Sequence, residues 1–117
     1  MTKLQRFHTG PRLSEATVHN GTAYLAGQVA ADANQDISGQ TRQVLAAIDK
    51  LLAEVGSDKS RILMAQIFIA DLADFAGMNE VYARYVSQPF PARTTVYVGL
   101  PEGMLVEIDA LAVLSDD

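Results

Sequence analysis

Arg93 and Glu107 are the side chains of this 117-residue chain best placed to do chemistry. Both fall in stretches that alternate like partly buried strands, Ala92 to Leu100 and Leu105 to Leu114. A guanidinium on such a surface offers a planar, bidentate grip for a substrate carboxylate. A glutamate near it can hold or deprotonate a water. The same two residues also read as a structural pair, either a cross-strand Arg93–Glu107 ion pair or an intersubunit salt bridge. Residue types and spacing leave both readings open.

Other chemistries find little support. The chain carries no P-loop, GxGxxG, HExxH or GxSxG motif. It has no cysteine, which excludes a disulfide framework, a thiolate zinc site and a cysteine nucleophile. Its two histidines, His8 and His19, are far apart in sequence, and no metal site is expected. The serines sit mostly near turns and helix ends, with no base partner in view. Nine basic against fourteen acidic residues give a net charge of −5, a poor field for duplex nucleic acid. No stretch reaches the roughly 18 apolar residues of a membrane span, and the N-terminus lacks an apolar signal core. The expectation is a soluble, cytoplasmic chain with no nucleic-acid or membrane partner.

The elements that position Arg93 and Glu107 follow from periodicity. Asn20-Gly21 between two β-prone runs predicts a hairpin. Val44, Leu45, Ile48, Leu51, Leu52 and Val55 form one apolar helical stripe, with Asp36 or Ser38 to cap its start and Gly56 to end it. Ile62 to Ala70 reads as a strand covered on both faces. A second helix follows, capped by Asp71 or Asp74, and stops at Gln88-Pro89-Phe90-Pro91. Within it Asn79 lies among apolar neighbours. Two alternating strands close the chain. The order is β-β-α-β-α-β-β, with a possible extra strand around Leu4 to His8. This is an α+β arrangement with two helices on one face of a mixed sheet, a single domain over residues 1–117.

The alternation places Arg93, Thr95 and Tyr97 together and Thr94, Val96 and Val98 opposite them. In the last strand Val106, Ile108, Ala110 and Ala112 face inward. Leu105, Glu107, Asp109, Leu111 and Val113 face the other way. Grouping Arg93, Tyr97, Glu107 and Asp109 on one face yields a surface too apolar to stay wet and too charged for a private core. A second copy of the chain is expected to cover part of it, the alternative being a partly amphipathic exposed sheet.

The segments Pro91-Ala92-Arg93-Thr94-Thr95-Val96 and Val106-Glu107-Ile108-Asp109-Ala110-Leu111-Ala112 resemble the C-terminal signature of the Rid (YjgF-type) reactive intermediate deaminases. The likeness extends through Asn20 to Gln28, Gln40-Thr41-Arg42-Gln43, and Ile67 to Phe75 with Met78-Asn79. It implies a chorismate-mutase-like (bacillus type) fold and a homotrimeric barrel with three clefts between subunits. It also implies hydrolysis of 2-imino acids and their enamine tautomers to 2-oxo acids and ammonia, as by a 2-iminobutanoate/2-iminopropanoate deaminase. No metal and no organic cofactor are implied.

Carried over by position, Arg93 would bind the substrate carboxylate. Glu107 would hold the attacking water, helped by the backbone carbonyl of Thr95. Gly27 would offer backbone groups, and Asn79 would brace the pocket. Three positions depart from the family pattern: Thr95 replaces a frequent cysteine, Ala26 a frequent serine and Leu13 an expected tyrosine. The alternative reading is a non-catalytic trimeric module that binds small carboxylates and regulates a partner.

Overall fold

The computed structural model describes residues 3–115. Strand β2 (Ser14–His19) and strand β3 (Thr22–Val29) are joined by the expected hairpin. Asn20 and Gly21 take positive φ, 53° and 77°, as the two central positions of a type I′ turn require. The extra N-terminal strand is real: β1 (Gln5–Thr9) pairs antiparallel with β2.

Helix α1 (Ile37–Val55) starts where Asp36 accepts a hydrogen bond from the Gly39 backbone N–H at 2.9 Å. A cap of this kind stabilises a helix by about 1 kcal/mol. Gly56, at φ 89°, ends the helix in the left-handed region. The predicted stripe of α1 is buried throughout, against Ala16, Val18, Ala23 and Leu25 of the hairpin and the inner residues of the later strands.

Strand β4 (Ile62–Ile69) leads through a 3-10 turn, Leu72–Asp74, into helix α2 (Phe75–Tyr85). Asp71 caps that turn, accepting from the Ala73 N–H at 2.9 Å, whereas Asp74 makes no side-chain cap. Strands β5 (Ala92–Tyr97) and β6 (Val106–Val113) follow, each slightly shorter than the alternation predicts. The six strands lie in the order β1-β2-β3-β6-β4-β5. Only β4 and β5 are parallel. A parallel neighbour needs a crossover, and α2 is that crossover, which sets it over the start of β5. The fold is therefore α+β with a mixed six-stranded sheet and both helices on one face. Among the described residues no helix is long and apolar enough to cross a membrane.

The register corrects one sequence-based expectation. Arg93 pairs with Ala65, Thr95 with Ile67 and Tyr97 with Ile69. Ala65, Ile67 and Ile69 are buried on the helix side, in line with Ala110, Ile108 and Val106. Arg93, Thr95 and Tyr97 therefore lie on the helix side, and Thr94 and Val96 share the open face with Glu107. The reason is the position of β5 at the sheet edge. Its upper face is only partly roofed by α2, so polar residues are tolerated there and apolar ones below. Alternation fixes that neighbouring residues diverge, but on such a strand it does not fix which set faces the helices.

Candidate functional site

Arg93 sits on β5 beneath α2. Its guanidinium carbon lies 5.1 Å from the centroid of the Tyr82 ring and 5.8 Å from that of Phe75. Its Nε donates to Thr95 Oγ1 at 2.7 Å. Two rings and a hydroxyl thus hold one edge of the fork, and the terminal NH₂ groups remain for a planar anion. Among the described residues no carboxylate lies within ion-pair distance of Arg93. Phe75, Asn79 and Tyr82 follow one another at i, i+4 and i+7, a single stripe of α2. Asn79 therefore belongs to the same row as the two rings. Among the described residues, no hydrogen-bond partner reaches the buried Asn79 Oδ1 or Tyr82 hydroxyl, which leaves both polar atoms available beside Arg93. Burial pushes the Tyr82 phenol up, and the nearby Arg93 charge pulls it back.

Glu107 belongs to a different half. The β3–β6 register shifts between Leu25 and Gln28, leaving Ala26 and Gly27 in a bulge. The Glu107 side chain folds over that bulge. A Cβ built on Gly27 would overlap the carboxylate oxygen and stand 2.9 Å from its Cδ and 3.1 Å from its Cγ. Glycine here leaves room for the carboxylate to lie against the backbone, a matter of close approach rather than of φ. Among the described residues the Glu107 carboxylate has no hydrogen-bond or ion-pair partner. Its neighbour Asp109 is differently committed. With its amide nitrogen turned inward, Gln66 donates to both Asp109 oxygens at 3.1 Å. Burial raises the Asp109 carboxyl, and the Glu107 charge adds to the effect.

Leu13 is exposed, in the turn between β1 and β2. It lies two residues from Glu15, whose carboxylate accepts from the Gln28 amide at 2.9 Å. Leu13, Gly27 and Glu107 therefore gather at one end of the sheet. Arg93, Thr95 and Asn79 gather on the other face, at the β5 edge. Strand β4 separates β5 from β6. A cross-strand Arg93–Glu107 ion pair within one chain is thereby excluded.

Sequence reasoning missed three contributors. Phe75 and Tyr82 fit an ordinary apolar helical spacing, and only the crossover geometry shows that they seat a guanidinium. Gln40 is fully buried in α1. Its Nε2 donates to the carbonyls of Ala33, Gln35 and Gly103 at 3.3, 3.2 and 2.9 Å, and its Oε1 accepts from the Leu105 N–H at 2.9 Å. It ties the loop after β3 to the turn before β6, and so fixes the backbone on either side of the Gly27–Glu107 contact. A glutamine between apolar helix positions is the signal that could have found it.

Residues 4–114 match the family model described as endoribonuclease L-PSP. A RutC family protein from Haemophilus influenzae is 46% identical over 101 residues, covering 85% of this chain and 87% of that protein. The chain belongs to the Rid (YjgF, L-PSP) family. A goat Rid protein described as 2-iminobutanoate/2-iminopropanoate deaminase is 36% identical over 107 residues, covering 86% of this chain and 78% of the relative. Among solved structures, a YjgF family member from Neisseria meningitidis superposes with a TM-score of 0.94 at 40% identity, over 98% of both chains. The architecture of this Rid chain is thus that of its structural neighbours.

The Gly27 contact yields a direct prediction for this Rid chain. Gly27→Ala forces the flexible Glu107 carboxylate aside without touching the core. A structure of Gly27→Ala is expected to show the Glu107 carboxylate displaced from the bulge, with a melting temperature close to that of the parent. An unmoved carboxylate, or a large drop in melting temperature, would show that this contact does not govern where Glu107 lies.

Proposed function

We propose that the protein hydrolyses 2-imino acids and their enamine tautomers to 2-oxo acids and ammonia, at sites shared between copies of the chain. The observation that carries this reading is a guanidinium held in place by Thr95 and two rings, with no carboxylate within ion-pair distance among the described residues. The deaminase among its relatives supports the choice of reaction.

In this reading the terminal NH₂ groups of Arg93 take the substrate carboxylate. The neighbouring C2 is an iminium carbon and already electrophilic, so orientation and a held water are the main requirements. Glu107 from an adjoining copy accepts a proton as the water oxygen bonds to C2. Glu107 returns that proton to the carbinolamine nitrogen, ammonia leaves as the C–N bond breaks, and Glu107 takes up the hydroxyl proton as the carbonyl forms. Water supplies the oxygen of the 2-oxo acid, and no electron acceptor is consumed.

The split between the two halves supports a shared site, because Arg93 and Glu107 occupy opposite faces of one sheet. Exposed Tyr97 at the β5 edge, at 61%, and Tyr24 on the open face, at 48%, support an assembly that covers them. A homotrimer satisfies this through one repeated interface, with three equivalent clefts.

The test generates 2-imino acids in situ with an amino-acid oxidase and follows their loss with and without the protein. Acceleration is the expected result. A rate indistinguishable from the uncatalysed one, with tight binding of a 2-oxo acid, would replace catalysis with a carboxylate-binding role.

A further inference from the structure

We infer that the cleft beside Arg93 seats the substrate's side chain and selects 2-imino acids with large apolar side chains. The inference rests on the carboxylate-binding role given to Arg93 in the proposed function. The cleft has a volume of about 230 Å³ and is lined by Tyr82, Ala83, Val86, Phe90, Pro91 and Arg93. Apart from the guanidinium at its rim and the Tyr82 hydroxyl, these side chains present only carbon.

The placement follows from the three substituents on C2 of a 2-imino acid. The carboxylate goes to the free edge of Arg93, since Nε is committed to Thr95. The imine nitrogen and the face open to attack must reach the polar half supplied by Glu107. The remaining substituent is the side chain, and the apolar surface continuous with Arg93 is this cleft. Tyr82 belongs to both, with its ring under the guanidinium and in the cleft wall.

Size decides what kind of side chain fits. The volume is below the ~300 Å³ at which pockets for drug-sized ligands begin, so a bulky cofactor is a poor occupant. It is several times the ~30 Å³ share of one water, so a methyl group leaves most of it unfilled. An isobutyl or benzyl group covers far more of the Val86, Phe90 and Pro91 surface. Each methylene in a hydrophobic pocket discriminates by roughly tenfold or more, which makes a tenfold preference a modest expectation for a partly open cleft.

The experiment compares imines generated from alanine and from leucine, in the wild type and in Ala83→Phe. Ala83 is exposed on α2 and lines the cleft, so the larger ring enters the cleft without disturbing the core, and a melting curve checks this. The wild type is expected to favour the leucine-derived imine at least tenfold in kcat/KM. Ala83→Phe is expected to lower that ratio at least tenfold. In parallel, calorimetry compares pyruvate with the leucine-derived 2-oxo acid, where the same preference and the same loss should appear. No preference in the wild type, or a ratio unaltered by Ala83→Phe, overturns the inference. Absence of imine turnover with the binding preference intact would overturn the deaminase reading and leave the side-chain site standing.

Discussion

Arg93→Ala is expected to lower kcat/KM for any 2-imino acid by about 30- to 4,000-fold. Truncating one member of a desolvated, hydrogen-bonded charge pair costs about 2–5 kcal/mol, at 1.4 kcal/mol per tenfold. The substrate carboxylate would keep its desolvation cost and lose its partner. The fold should lose far less. Arg93 is only partly buried, and its contacts with Phe75 and Tyr82 are cation–π contacts at a half-open edge, worth about 0.5–1 kcal/mol each. Arg93→Lys separates charge from geometry. Lysine keeps the positive charge but has no planar fork, and it cannot reproduce the Nε–Thr95 bond while presenting two parallel donors. It should recover less than half of the lost transition-state free energy. Steady-state kinetics beside thermal melts of both variants would check this. Wild-type turnover in Arg93→Ala would remove the residue from the reaction.

Most of the fold was legible because its signals are local. Asn20-Gly21 demands positive φ at two successive residues, and a single turn type answers that demand. Asp36 and Gly56 bracket an apolar stripe long enough to have one reading. The candidate site was legible as residue types: arginine and glutamate stand out on strands whose other residues, Asp109 apart, are uncharged. Their relative placement was not legible, because it depends on a parallel strand order. Once β5 lies beside β4 rather than β6, and α2 crosses above it, Arg93 must face Phe75 and Tyr82. Glu107 then stays on the open face, beside the bulge at Gly27. No pattern within Ala92 to Leu100 carries that information, since the strand is an edge and both of its faces mix polar and apolar residues. The Gly27–Glu107 contact was hidden for a related reason. It depends on a register shift in β3, and a bulge leaves little trace in sequence beyond the glycine itself.

Glu107→Gln removes a proton acceptor while keeping shape and hydrogen bonding, and it is expected to lower kcat by about 10²–10⁴ with little change in KM. The more decisive measurement combines two inactive proteins. Arg93→Ala chains retain Glu107, and Glu107→Gln chains retain Arg93. If each site takes its arginine from one copy and its glutamate from the next, random mixing in equal amounts rebuilds about one site in four. Co-expression, or dissociation and reassembly of the two variants, should therefore raise turnover from near zero to about a quarter of the wild-type value. Two inactive variants that stayed inactive after verified subunit exchange would mean that the residues do not meet across an interface. The same mixture distinguishes catalysis from a purely structural intersubunit ion pair. An ion pair alone would restore thermal stability in the mixed assembly, because a quarter of the pairs re-form, but it would restore no turnover. Recovery of turnover in proportion to rebuilt sites is the outcome that the opposite-face geometry of Arg93 and Glu107 demands, since within one chain the sheet itself stands between them.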